Sequence, residues 1–203
     1  MVLTKSKKVI LALALALAAT AIAATALLRE QQALSEKLIR LHVVANSDSE
    51  ADQAIKLQVR DAVLAVTEPL MEGAEDPYAA LSDALPEIES AAVNCLAALG
   101  VADPVTVTLG QEAYPTRVYE SFSLPAGQYT SLRVTIGAGE GHNWWCVVFP
   151  SICFAATSTD LESAAATAGF SDGEVQLITE PDSYQLKFKA MEWVEQLRQW
   201  LLG

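Results

Sequence analysis

Residues 38–50 read Leu-Ile-Arg-Leu-His-Val-Val-Ala-Asn-Ser-Asp-Ser-Glu, and this stretch decides the fold. From Leu38 to Val44 the chain alternates. Ile39, Leu41 and Val43 point one way and Arg40 and His42 the other, the period of a β-strand facing a core. The next six residues, Ala45 to Glu50, carry no apolar periodicity. Ser47 followed three residues later by Glu50 predicts a capping box, in which each side chain satisfies a free backbone N–H at a helix start. Ile55, Val59, Ala62, Val63, Val66 and Leu70 then recur at helical spacing, and Pro69 and Gly73 close the run. A strand that turns into a helix within six residues predicts a mixed α and β domain.

The pattern extends in both directions. Downstream, Leu81, Leu85, Ile88, Ala92, Cys95, Leu96 and Leu99 share a face of a second helical segment from about Tyr78 to Leu99. Pro86 either kinks that helix or begins a new one, and Gly100 fits the residue after its C-cap. From Pro104 the period becomes two, with Val105, Val107 and Leu109 alternating with threonines. A weaker strand spans Thr116–Leu124, and another carries Leu132, Val134 and Ile136. The run His142–Phe149 is apolar on both faces and reads as a central, covered strand. Residues 157–183 lack periodicity and read as a variable acidic surface segment. A last helix runs from about Tyr184 to Leu202. The expected class is α+β, a single domain with a mostly antiparallel sheet, two helices in its N-terminal half and a C-terminal helix.

Upstream, Lys5, Lys7 and Lys8 precede Val9–Leu28, twenty residues without a charge. Ala21-Ile22-Ala23 and Ala24-Thr25-Ala26 supply small-x-small exits. Residues 1–28 therefore read as a secretory signal peptide or as an N-terminal membrane anchor, since the run is also long enough to span a bilayer. Residues 29–37 read as a short polar connector, and 38–203 as an extracytoplasmic domain. The chain of 203 residues has 13 Lys+Arg against 25 Asp+Glu, a net charge of −12. That balance excludes nucleic acid as a partner, because phosphate binding needs clustered bases. It confines membrane contact to the N-terminal segment, if that segment is retained.

Several residues invite chemistry. Gly137-x-Gly139-x-Gly141 lacks the phosphate-loop spacing and reads as a hairpin connection. Asn46, Asp48, Glu50 and Asp52 begin like a calcium loop, but Ala51 and Leu57 stand where its glycine and closing glutamate belong. His142 and Cys146 suggest a thiol hydrolase, yet at i and i+4 on a strand they stand roughly 13 Å apart. Cys146 and Cys153 flank Pro150, and an oxidising compartment would let them form a disulfide, the alternative being two buried thiols. No zinc spacing appears, and no metal or cofactor is expected.

Three blocks together carry a resemblance. They are Arg40-Leu41-His42-Val43-Val44-Ala45-Asn46-Ser47-Asp48-Ser49 with the helix through Val63, Tyr129–Gly137, and Gly139-Glu140-Gly141-His142-Asn143-Trp144-Trp145-Cys146-Val147-Val148-Phe149-Pro150 followed by Cys153-Phe154. Phe188–Trp193 adds a closing block. The set resembles the stage II sporulation protein R family of endospore-forming bacteria. The resemblance implies a non-catalytic signal, made in the forespore and exported into the space between the septal membranes. It implies a partner, a membrane-bound sporulation aspartic protease in the mother-cell septal membrane, which then processes the precursor of sigma factor E. Within the blocks, Arg133, His142, Asn143, Trp144 and Trp145 are the candidate partner contacts, because Trp and Arg dominate interface hot spots. Trp144 and Trp145 face opposite ways on a strand, so at most one of them faces a partner. Arg40, Asn46, Ser47 and Asp48 form a second candidate edge. The rival readings are an extracytoplasmic thiol or cell-wall hydrolase and a membrane-anchored structural module.

Overall fold

The structure, a computed structural model, describes residues 5–119, 122–152 and 169–179, with residues 189, 192–193, 196 and 200 in the C-terminal helical region. A long helix, α1 (Lys5–Glu36), leads into β1 (Ile39–Val44). Helices α2 (Glu50–Met71) and α3 (Pro77–Ala98) follow, then β2 (Val105–Tyr114), the short strands β3 (Arg117–Val118) and β4 (Ser123–Leu124), β5 (Gly127–Ile136) and β6 (Asn143–Phe149). A short helix, α4 (Asp172–Thr179), closes the described part.

The main sheet has the order β2-β5-β1-β6, and β3 pairs with β4 separately. The protein is α+β as expected, but the sheet is mixed. Its central pair, β1 with β5, is parallel, while β2–β5 and β1–β6 are antiparallel. β1 lies between β5 and β6, so these two strands do not form a hairpin. The glycine-rich loop 137–142 instead crosses the end of β1. β6 is correspondingly an edge strand rather than the expected central one, although both of its faces are covered.

One face of the sheet meets α2 and α3. Leu41, Val43, Leu132, Val134 and Ile136 pack against Val59 and Val63 of α2 and Leu81, Ile88, Ala92 and Leu96 of α3. The helical residues recur at three- and four-residue steps, as the sequence pattern requires. Each fully buried Leu, Ile or Val stabilises the fold by about 1.5–3 kcal/mol. Pro69 and Pro86 both lie inside continuous helices, so neither ends one. Asp76 caps α3, and Gly100 follows its C-cap Leu99 at φ +71°.

The opposite face is covered too. Leu34 from the end of α1 and Leu38 just after it pack with Tyr114, Phe122, Leu124, Tyr129, Val147, Ile152 and Ile178. Two sequence expectations change here. The presumed polar connector 29–37 is helical through Glu36 and buries Gln31, Leu34 and Ser35. Within the presumed surface segment 157–183, α4 buries Glu174 and Ile178. Lys37 ties the two together, donating to Glu174 at 2.6 Å and to the Gly169 carbonyl at 3.0 Å. A single apolar residue per turn amid polar neighbours hides such a packing face. The rest of 157–183 and most of the expected helix 184–202 lie outside the described residues, although positions 189, 192–193, 196 and 200 are helical. Trp193 and Trp200 there are 70% and 78% exposed.

The cap of α2 also differs from the expected box. Ser49, not Ser47, is the N-cap, and its Oγ accepts from the Asp52 N–H at 3.1 Å. Ser47 and Asn46 instead donate to the Asp52 carboxylate at 2.5 and 3.1 Å. The turn after β1 thereby folds onto the crossing loop. Asn46 Oδ1 accepts from the Ala138 N–H at 2.9 Å, and the N–H groups of Glu140 and Gly141 donate to the carbonyls of Asn46 and Ala45. Gly137 sits at φ +57° with Asn46 where a Cβ would go. Gly137→Val adds strain and a clash together, so urea denaturation should show a loss of about 2–4 kcal/mol.

Candidate functional site

Strand alternation gathers a polar cluster on the α1 side of the sheet. His42 of β1 stands opposite Arg133 of β5 and Trp145 of β6. Glu112 and Ser131 reach the same face from β2 and β5. Glu112 is the hub. One of its oxygens accepts from Arg133 Nη1 at 2.6 Å and lies 2.9 Å from His42 Nδ1. Its other oxygen accepts from Ser131 Oγ at 2.7 Å. Because Ser131 gives its proton to the carboxylate, the Tyr114 hydroxyl, 2.7 Å away, donates to Ser131. His42 Nε2 lies 2.8 Å from Asn143 Oδ1, and its ring stacks on Trp145 with centroids 5.4 Å apart.

Burial alone would raise the Glu112 pKa. The bonds from His42 and Ser131, with the charges of His42 and Arg133, outweigh it and hold the carboxyl at about 2. Such a carboxylate is a poor base near neutral pH, so Ser131 is hydrogen-bonded rather than activated. Burial pushes the Tyr114 and Tyr129 phenols well above their usual range. An open groove of about 180 Å³ runs over this ledge, lined by Thr108, Gly110, Gln111, Glu112, Ser131 and Arg133. Among the described residues, no group of three His, Cys, Asp or Glu side chains is placed to hold a metal ion.

The candidate residues from the sequence divide among three places. Arg133, Asn143 and Trp145 join the Glu112 ledge. Asn46, Ser47, Asp48 and His142 meet where the two loops interlock, with His142 Nδ1 and its backbone N–H both on Asp48 Oδ1. Beneath that junction Lys56 is buried, donating to the His142 carbonyl at 2.9 Å. Burial pushes its amine down. Trp144 turns to the helical side, under the Arg60 guanidinium at 4.8 Å from the ring centroid. Arg40 is fully buried, stacked on Tyr114 and Tyr129.

His142 is exposed on its loop, whereas Cys146 is buried in β6 on the helix-facing side. The two are not assembled as a thiol–imidazole pair. Cys153 lies outside the described residues. Glu112, Ser131, Tyr114, His42 and Arg117 were absent from the sequence candidates. The alternation of Ser131 with Arg133 was the available signal. Glu112 and Tyr114 lay beyond the recognised strand, which runs five residues past Leu109.

A family model described as stage II sporulation protein R matches residues 35–159, which include β1 through β6 and both interlocked loops. The curated protein "Stage II sporulation protein R" of Bacillus subtilis (strain 168) is 35% identical over 124 residues, covering 60% of this chain and 55% of that relative. The match thus spans about half the relative's length. No solved structure matches the chain.

The Glu112 carboxyl contributes stability that is present above its unfolded pKa near 4.5 and is lost as pH falls through about 2. Glu112→Gln should cost on the order of 2–3 kcal/mol at neutral pH. The variant should also show a flatter stability profile between pH 4.5 and 2, read by denaturant titration across that window.

Proposed function

The chain belongs to the stage II sporulation protein R family, and from that premise we propose that it is an exported forespore-to-mother-cell signal. It activates a membrane-bound sporulation aspartic protease facing it from the mother-cell septal membrane, and that protease processes the precursor of sigma factor E. The protein itself is the activator and not a catalyst. The observation that carries this reading is the family match across residues 35–159, which contains the Asn46–Asp48 turn, the 137–142 loop and the Asn143–Phe149 strand.

Further observations support it. Lys5, Lys7 and Lys8 ahead of the uncharged Val9–Leu28 suit export through a signal peptide, or retention as an anchor, with the domain in the septal intermembrane space. The ledge around Glu112, with Arg133, Asn143 and Trp145, offers polar and aromatic groups to a protein partner. His142 and Asp48 present a second exposed pair at the end of the sheet. Cys146 is the disulfide-bonded cysteine among the described residues and Cys95 the free one, which suits a Cys146–Cys153 bridge in an oxidising compartment.

Co-expression with the candidate protease and the sigma-factor precursor tests the activity. Precursor cleavage should appear only when this chain is present. Asn143→Ala should leave the chain folded and exported while reducing cleavage at least tenfold. Cleavage at the wild-type level by Asn143→Ala, Trp145→Ala and His142→Ala alike removes the contact assignment, and cleavage independent of the chain removes the function. For the bridge, a reducing agent should lower the unfolding free energy by about 2–3 kcal/mol, the entropy of a loop of this size. Cys146→Ser should start at that lower stability and ignore the reductant.

A further inference from the structure

Arg40 is 0% exposed, yet it has no ion-pair partner among the described residues of a chain with 25 acids. Its guanidinium carbon lies 3.9 Å from the ring centroid of Tyr114 and 4.9 Å from that of Tyr129. Nη2 donates to the Tyr119 hydroxyl at 2.8 Å. Nε and Nη1 are buried and make no hydrogen bond. Arg117 repeats the arrangement. Its guanidinium sits 3.5 Å above the Trp145 ring, and its Nε is also buried without a partner.

The two guanidinium groups rest on rings that flank His42, Tyr114 for Arg40 and Trp145 for Arg117, and together they hold three unused donor atoms. Stacking on aromatic faces offsets part of the cost of burying such a cation, but it satisfies no N–H. Burial pushes the Arg117 pKa down, and the charge of Arg40 adds to this in part. The fork geometry of a guanidinium matches a carboxylate, which can accept two parallel N–H bonds. The group now on Arg40 is the Tyr119 hydroxyl, on a hairpin whose paired strands are only two residues long. That hairpin is closed by Tyr119 N–H to Phe122 carbonyl at 2.8 Å and by stacking of the same two rings.

We propose that Arg40 and Arg117 are the receptor for a single carboxylate on an otherwise uncharged segment of a protein partner, which enters by displacing the Tyr119 phenol from Arg40. The chain's net charge of −12 disfavours polyanions, which its overall field repels, and so favours a ligand with a single negative charge. Tyr119 holds the place of the carboxylate in the free protein, and the hairpin lifts when the partner arrives. The identification of the ligand as part of a protein rests on the signalling reading above, while the carboxylate site itself does not.

The test uses the full chain in mild detergent and two capped amino acids, N-acetyl-glutamate amide and N-acetyl-glutamine amide, which differ only in the carboxylate. At saturating concentration the glutamate probe should raise Tm by about 2–4 °C. The glutamine probe should leave it unchanged. Arg117→Gln should abolish the rise, and Tyr119→Phe, which removes the competing phenol, should enlarge it. Equal Tm with both probes overturns the site, as does a rise that persists in Arg117→Gln. Should Arg117→Gln not fold, the comparison of the two probes on the wild-type chain decides alone. No protease enters this measurement. A carboxylate response without precursor cleavage in the co-expression assay would overturn the partner and keep the site.

Discussion

β1 is inserted between two strands that follow each other in the chain, and the remainder of the domain depends on that insertion. β5 and β6 would otherwise pair as a hairpin, and the connecting loop would need no special sequence. With β1 between them, the loop must step across the strand end at a distance set by two strand spacings. It meets the turn that leaves β1 for α2 on the way. Asn46 and the backbone of Ala45 supply the bonds that hold the loop down. Gly137, Gly139 and Gly141 supply the room. The two most distinctive sequence blocks, 45–49 and 137–142, are therefore two sides of one contact. Their residue types follow from close backbone approach before any role toward a partner is considered.

The same insertion gives the sheet two covered faces of different character. The face toward α2 and α3 is mainly aliphatic, with Trp144 and Phe149 of β6 at its edge. The other face is aliphatic and aromatic where α1 and α4 cover it and polar where they do not. Glu112 stands at that boundary, bonded to His42, Arg133 and the Ser131 hydroxyl, and Tyr114 carries the network downward toward Arg40. Polar groups at such a boundary fix register, because a one-residue slip would place Arg40, His42 and Arg133 among the aliphatic residues. The polar ledge therefore positions β1 as well as offering groups for recognition.

Much of the helical side was legible in the sequence. Val59 with Val63, and Ile88 with Ala92 and Leu96, show their face through spacing alone. The alternation of 38–44 likewise separated Ile39, Leu41 and Val43 from Arg40 and His42. What spacing does not carry is partnership. Nothing local in β1 says that its neighbours come from residues 127–149, or that one of them runs parallel. Arg40 illustrates the cost of this. A charged residue on the second face of a strand is ordinarily solvated, and only the later arrival of Tyr114, Tyr119 and Tyr129 makes it fully buried. Glu112 was hidden for the same reason, since its partners come from three strands. The packing of Leu34 and Ile178 was hidden by their polar surroundings, and the Ser49 cap by a second serine two positions earlier.

The continuity of α1 with the domain has a mechanical meaning. Two residues, Lys37 and Leu38, separate the helix from β1, and Leu34 and Leu38 lie inside the second core. The helix end is also clamped by the Lys37–Glu174 contact. The last turns of α1, which remain with the domain whether or not the segment before them is cleaved, therefore form a stiff lever with its foot in the core, not a slack tether. Tension applied along that lever reaches the central strand at once, where it is resisted in shear by the ladders to β5 and β6 together.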